Sequence, residues 1–184
     1  MKKGNIVTYV LRLSLTLLAV TALVALALAG INSLTADRIA QVKAEKMQKA
    51  MEQVLPGAVG LESVDFTDET GTVKTVYASE SGFVVEVAPA GFGGAITMMV
   101  GILPDGKVNG ISIVSHTETA GLGSVAGADT AAGNAFRDQF VGQNGSLAVD
   151  KDGGTIDSIT SATITSRAVT NGVNAALAAV AALS

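Results

Sequence analysis

The stretch AITMMVGILPDGKVNGISIVSH, residues 95–116, decides the fold class of this chain. Two β-rich runs, AITMMVGIL and KVNGISIVSH, flank the turn sequence PDG at residues 104–106. Proline and glycine favour a tight turn here, because proline fixes φ and glycine accepts positive φ. We therefore expect an antiparallel β-hairpin at this place.

Further β-rich runs precede the hairpin, and helical patterns follow it. TVKTVYAS and GFVVEVAP predict two short strands separated by turn residues. TAAGNAFRDQFVGQ predicts a short helix with Phe136 and Phe140 facing inward, and apolar residues recur at helical spacing from Thr163 onward. The pattern predicts an α+β domain over residues 58–184, with an antiparallel sheet packed by helices.

An apolar segment lies near the N-terminus. Leu13–Ile31 holds nineteen residues without a charge, which as a helix would span about 28 Å. This length predicts a transmembrane anchor within residues 1–31, and a signal peptide cleaved after ALA at 27–29 is the alternative. Charge counting does not decide the orientation, because basic residues lie on both sides: Lys2, Lys3 and Arg12 before it, and Arg38, Lys43, Lys46 and Lys49 after it.

The next segment, NSLTADRIAQVKAEKMQKAMEQVLPGA, predicts a helical stalk over residues 32–57. Ser33 or Thr35 could cap it, and Pro56-Gly57 would end it. We expect this stalk to continue directly from the membrane helix.

The composition excludes several classes of function. The chain has no cysteine and one histidine, so no disulfide, thiolate metal site or histidine-rich metal site is expected. Its net charge is −4, and it has no basic patch or aromatic platform of the kind that binds nucleic acid. No nucleophile–base pair or paired acid is apparent, so a stand-alone enzyme is not expected either.

The run DSITSATITSRAVT, residues 157–170, carries a side-chain hydroxyl on seven of its fourteen residues. It lies at the predicted start of the last helix, and helix N-termini bind phosphate through free N–H groups and a positive dipole end. Thr160 or Ser161 could cap this helix, Ala162 would let a ligand approach, and the Thr163 hydroxyl would meet a bound phosphate. The residue types alone favour a plain N-cap with spare hydroxyls.

DSITSATITS resembles the flavinylation motif of the FMN-binding domain family, which reads Asp, two variable residues, Ser or Thr, usually Gly, then Ala-Thr. Asp157, Thr160, Ala162 and Thr163 match it, and Ser161 replaces the usual glycine. The resemblance implies covalent FMN, joined through its phosphate to Thr163 as a phosphoester. It also implies that a flavin transferase recognises Asp157.

Two more segments resemble this family. GFGGAI, residues 91–96, is similar to the family's Gly-aromatic-x-Gly segment before the central hairpin. HTETAGLG, residues 116–123, is similar to its Glu-Thr-Pro-Gly-Leu-Gly loop near the isoalloxazine, with Ala120 in place of proline. His116 could bind the flavin or cap the loop, and the glycines would allow close approach of the ring. The resemblance implies these candidate flavin contacts: His116, Glu118, Thr119, Gly121, Leu122 and Gly123.

With its apolar N-terminus, the whole chain resembles the G-subunit family of Rnf electron transport complexes. This implies a single-pass membrane protein with a cytoplasmic start and an extracytoplasmic soluble domain. Such a redox carrier passes electrons during ferredoxin/NAD oxidation–reduction coupled to ion translocation. Its partners would be the membrane, the other subunits and the flavin transferase.

Three alternatives remain open. The C-type subunit of a sodium-translocating NADH:quinone reductase belongs to the same class of redox carriers. A pilin-like structural protein also has an apolar N-terminal helix before a β-rich domain, but it would carry a glutamate in that segment, and residues 5–31 have none. An extracytoplasmic binding domain with a non-covalent ligand is the third alternative.

Overall fold

The structure, a computed structural model, describes residues 3–66, 68 and 70–183, with side chains from residue 6 onward. Two short 3-10 helices lie at Gly123–Gly127 and Asp150–Asp152. Within these residues the helices and strands are α1 Lys3–Val54, β1 Glu62–Val64, β2 Val73–Ser79, β3 Gly82–Val87, β4 Thr97–Ile102, β5 Val108–Ser115, α2 Ala131–Asp138 and α3 Thr163–Leu183. The predicted α+β class is confirmed.

The chain divides into two units, Met1–Glu45 and Lys46–Ser184. In the first unit, α1 contains an 18-residue window with a mean hydropathy of 2.3, and none of that window is buried. By length and composition, this helix can cross a membrane. α1 runs on without interruption and ends at Val54, two residues before Pro56.

The second unit is built on a five-stranded antiparallel sheet in the order β1-β2-β3-β4-β5. The predicted hairpin is confirmed as β4 and β5, with Val100 opposite Ile111. Its turn is closed by the Leu103 N–H, which donates to the Lys107 carbonyl at 2.8 Å. Gly106 adopts φ 79°, the left-handed conformation for which glycine was expected in this turn.

One face of the sheet packs against α3. Side chains that alternate along the strands, such as Val85 and Val100, meet the buried stripe of α3 that includes Val173 and Val180. The predicted short helix is confirmed as α2, which carries Phe136 but ends at Asp138, before Phe140. Both phenylalanines face inward as expected, and their rings lie edge to face with centroids 5.5 Å apart. These contacts fix where α3 begins relative to the sheet.

The opposite face packs against the last turns of α1, which belong to the same unit. Ala50 and Val54 are buried against Val84 and Met99. The amide of Asn109 donates to the Val54 carbonyl at 2.7 Å and satisfies an acceptor that the helix end leaves free. The sheet is therefore covered on both faces by helices.

Candidate functional site

The site is centred on the first turn of α3. The Ser166 N–H donates to the Ala162 carbonyl at 3.0 Å, the first α-helical hydrogen bond of α3. The N–H groups of Thr163, Ile164 and Thr165 have no acceptor within the described part of the chain. Ala162 precedes the helix directly, so the expected cap by Thr160 or Ser161 is wrong: neither residue occupies the cap position.

The hydroxyl-rich run contains two kinds of hydroxyl. Four of them form hydrogen bonds within the domain: Ser158 to Asp150, Thr165 to Glu118, Ser166 to the Ala162 carbonyl and Thr170 to the Ser166 carbonyl. Among the described residues, the hydroxyls of Thr160, Ser161 and Thr163 have no partner. Thr163 is half-buried, whereas Thr160 and Ser161 are exposed.

Ser161 has φ 62°, and it is the one non-glycine residue with positive φ in the part of the chain that the structure describes. This left-handed conformation costs an L-residue about 1–2 kcal/mol, and glycine adopts it freely. The replacement of the motif's usual glycine by Ser161 therefore places an L-residue in a backbone conformation that favours glycine.

A cavity of about 340 Å³ brings the three motif segments together. Phe92 lines it from the first segment, and residues 161–165 line it from the start of α3. Glu118, Thr119, Leu122 and Gly123 contribute from the loop. Its volume lies at the lower end of the range for small-molecule sites, which is about 300–1,000 Å³.

Four of the candidate residues lie outside this cavity. Nδ1 of His116 accepts the Glu118 N–H at 3.3 Å, and its side chain lines a separate groove with Lys46 and Lys49. Asp157 and Thr160 are exposed, and the Asp157 N–H donates to Oε1 of Gln139 at 2.7 Å. Gly121 also lies outside the cavity.

The glycines of the loop serve the fold of the loop itself. Gly121 has φ 74°, and a Cβ placed there would meet nothing within 4 Å, so this glycine is required by backbone conformation. A Cβ at Gly123 would overlap the Thr165 hydroxyl and lie 2.7 Å from Oε2 of Glu118. A Cβ at Gly91 would lie 2.5 Å from the other oxygen, Oε1. Gly91 and Gly123 thus lie against the Glu118 carboxylate, and Gly123 also lines the cavity.

Glu118 is 8% exposed, and both of its carboxylate oxygens accept hydrogen bonds. Oε1 accepts the Gly93 N–H at 2.8 Å, and Oε2 accepts the Thr165 hydroxyl. Burial is the largest influence on its pKa and raises it, but the bonds from Thr165, Gly93 and Phe92 together outweigh burial and keep the pKa of Glu118 below its usual value. Glu118 is therefore a buried carboxylate that stays charged at neutral pH.

Sequence reasoning missed Thr165. Its spacing from Thr163 is two residues, which places the two side chains about 200° apart around a helix. Only the packing of the loop against α3 shows that Thr165 meets Glu118, 47 residues earlier in the chain.

Comparison with known proteins identifies the family. Residues 91–178 match the FMN-binding domain model, and residues 1–54 match the model for the RnfG N-terminal region. The G subunit of the Na⁺-translocating ferredoxin:NAD⁺ oxidoreductase complex of Acetobacterium woodii is 34% identical over 189 residues, covering 90% of this chain and 88% of that protein. The chain belongs to this G-subunit family.

Other members of the G-subunit family are similar. The G subunit of the proton-translocating ferredoxin:NAD⁺ oxidoreductase complex of Clostridium ljungdahlii is 44% identical over 113 residues, covering 56% of this chain and 58% of that protein. The G subunit of the ion-translocating oxidoreductase complex of Methanosarcina acetivorans is 30% identical over 173 residues, covering 88% of this chain and 89% of that protein. The resemblance inferred from the three motifs is confirmed.

The residues around the cavity suit FMN, the ligand of this domain family. Phe92, Leu122 and Ile164 are 68%, 41% and 50% exposed at its rim, which is unusual for large apolar side chains and provides apolar cover for a ring system. The free N–H groups at the start of α3 suit a phosphate. The cavity thus offers an apolar part and an anion-binding part side by side.

Proposed function

We propose that this protein carries FMN covalently, with the phosphate joined to the Thr163 hydroxyl as a phosphoester. The observation that supports this most directly is the state of the Thr163 hydroxyl. It has no hydrogen-bond partner among the described residues, it lies in the first turn of α3, and its residue lines the cavity. Thr165 also lines the cavity, but its hydroxyl is already bonded to Glu118.

Different residues of the chain hold different parts of the cofactor. The N–H groups at the start of α3 stabilise the phosphate charge, and the rim side chains Phe92, Leu122 and Ile164 cover the ring. Glu118 places a negative charge at the cavity wall. Asp157 lies outside the cavity and is exposed, as suits the residue that the flavin transferase recognises.

FMN supplies the redox chemistry, so the protein need only attach, orient and tune it. We infer that the protein passes electrons to and from other subunits of a membrane complex. By analogy with the names of its relatives, that complex couples ferredoxin and NAD⁺ oxidation–reduction to ion translocation. The protein is a redox carrier within this assembly.

Replacement of Thr163 by alanine tests the attachment. We expect Thr163→Ala, produced together with a flavin transferase, to lose the fluorescence that wild type retains after denaturing electrophoresis. Thr160→Ala removes another unpartnered hydroxyl of the motif and should keep a fluorescent band whose flavin peptide maps to Thr163. Fluorescence that persists in Thr163→Ala, with the flavin on another residue by peptide mass, would refute the assignment.

We further propose that residues 1–31 form a cytoplasmic start and membrane anchor, residues 32–57 a stalk and residues 58–184 an extracytoplasmic domain. Because the chain has no cysteine, a single introduced cysteine reports the side of the membrane. Ser81→Cys, in the exposed turn between β2 and β3, should react with an impermeant thiol reagent in intact cells. Asn5→Cys, before the apolar segment, should react only after lysis, and the reverse pattern would contradict this orientation.

Asp68 is unsuitable as a labelling site, because its carboxylate is part of the fold. It accepts the N–H groups of Thr72 and Val73 at 2.7 and 2.8 Å. The pKa of Asp68 is lowered to about 2, mainly by the hydrogen bond from the Val73 N–H and next by that from the Thr70 hydroxyl. A cysteine there would disrupt the turn that precedes β2.

A further inference from the structure

The carboxylate of Glu118 connects three segments that are distant in sequence. It joins the loop at 116–123 to Gly93 through one oxygen and to Thr165, in the first turn of α3, through the other. Thr165 is 2% exposed, so this contact is shielded from water. A hydrogen bond to a buried charged group is among the strong ones, and leaving such a group unpaired is costly.

We infer that Thr165 is a positioning residue of the flavin site: its hydroxyl holds the Glu118 carboxylate charged and fixed at the cavity wall, and so ties the loop to the attachment helix. This inference rests on the proposed function, because it assigns Thr165 a role in the same cavity. Thr163 and Thr165 then have separate roles. Thr163 offers a free hydroxyl for attachment, whereas the hydroxyl of Thr165 donates to Glu118.

The surroundings of Glu118 explain why one hydroxyl matters. No lysine or arginine forms an ion pair with Glu118 among the described residues, and hydrogen bonds, with that from Thr165 the largest, are the main influences that favour its ionisation. Hydrogen bonds therefore hold the charge, and burial opposes it. Removal of the Thr165 hydroxyl leaves fewer hydrogen bonds to offset the effect of burial, so the pKa of Glu118 rises.

Two glycines pack closely against the Glu118–Thr165 pair. Gly123 lies against both the Thr165 hydroxyl and the Glu118 carboxylate, and Gly91 lies against the other carboxylate oxygen. Neither position has room for a Cβ without movement of the carboxylate. The pair is therefore built into the packing of three segments.

The first measurement is the reduction midpoint of the full chain in detergent, produced with a flavin transferase and titrated at neutral pH. Glu118→Gln sets the scale, because it removes the charge at the wall and should raise the midpoint. Thr165→Val removes the hydroxyl with little change in volume and should shift the midpoint in the same direction by a smaller amount, because the carboxylate is no longer fixed at the cavity wall. Thr165→Ser keeps the hydroxyl and should stay near wild type. Thr170→Val is the matched control, since Thr170 is an equally buried threonine of α3 whose hydroxyl donates to the Ser166 carbonyl.

The second measurement does not need the cofactor. Infrared spectra of flavin-free protein, recorded as the pH is lowered, should show the protonated band of Glu118 at a higher pH in Thr165→Val than in wild type, and the double variant with Glu118→Gln identifies that band by its loss. If Thr165→Val fails to fold, Thr165→Ala removes the same hydroxyl and takes its place.

The outcomes separate this inference from the proposed function. A wild-type midpoint in Thr165→Val, alongside a raised midpoint in Glu118→Gln, would overturn the positioning role. If wild type itself acquires no covalent flavin, the proposed function fails, and the infrared result alone decides. A Glu118 band that appears at a higher pH in Thr165→Val than in wild type then upholds the action of Thr165 on Glu118, and a band that appears at the same pH overturns it.

Discussion

The backbone at Ser161 leads to a prediction about stability. Ser161 has φ 62°, a conformation that costs an L-residue about 1–2 kcal/mol. Its hydroxyl has no partner among the described residues, so Ser161→Gly removes the strain without breaking a hydrogen bond. Glycine adds freedom to the unfolded chain, which offsets about 0.5–1 kcal/mol of this gain. We expect a net stabilisation of about 0.5–1 kcal/mol.

For a unit of about 140 residues, Lys46–Ser184, the entropy of unfolding is about 290 cal/mol/K. The expected gain then raises Tm by about 2–3 °C. Circular dichroism of the full chain in detergent, followed through the cooperative unfolding of this unit, measures the change.

The matched control is Ser81→Gly. Ser81 is an exposed turn serine without positive φ, so glycine there should lower Tm. If Ser161→Gly lowers Tm as much as Ser81→Gly does, the strain argument is refuted. Because the substitution restores the residue that the family usually has, covalent flavin in Ser161→Gly should at least equal that of wild type.

Three further predictions concern the carboxylates and the loop. Glu118→Gln should raise the reduction midpoint: a unit charge that acts across the cavity, over roughly 7 Å at an effective dielectric constant of about 20, is worth about 2 kcal/mol, or roughly 40 mV for a two-electron couple. An unchanged midpoint would mean that the loop does not face the flavin. Gly123→Ala should destabilise the domain by about 2 kcal/mol, because a Cβ would collide with the Glu118–Thr165 pair. Denaturant unfolding of Gly121→Ala, where only φ opposes the substitution, should give a smaller loss. Asp68 has its pKa lowered to about 2, so its stabilising effect is present above pH 4 and lost as the pH falls towards 2. Thermal unfolding of Asp68→Asn should therefore depend less on pH across that range than wild type does.

Local patterns in the sequence predicted the elements that are decided locally. The PDG turn with its flanking β-rich runs predicted β4 and β5, because turn chemistry and strand propensity agree there. The helical spacing after Thr163 predicted α3 and its buried face. The uncharged segment predicted the apolar part of α1.

The interior of the site depends on contacts that no local pattern records. The bond between Thr165 and Glu118 joins residues 47 positions apart, and it appears only once α3 packs on the sheet. The same is true of Gly123, whose neighbour is this pair. For Ser161, the motif showed a missing glycine, but only the backbone shows that the position has positive φ.

The open rim of the cavity has a consequence for how the cofactor is supplied. Phe92, Leu122 and Ile164 are themselves exposed at the rim, so a ligand that they cover on one side stays open to water on the other, and a free flavin would be held only weakly. The proposed ester bond at Thr163 would replace that weak association with permanent proximity, at an effective concentration that no cellular pool of FMN would match. Occupancy would then be decided once, during maturation, and dilution of the cofactor afterwards would not empty the carrier. The same open rim would leave the edge of the ring accessible to each redox partner in turn.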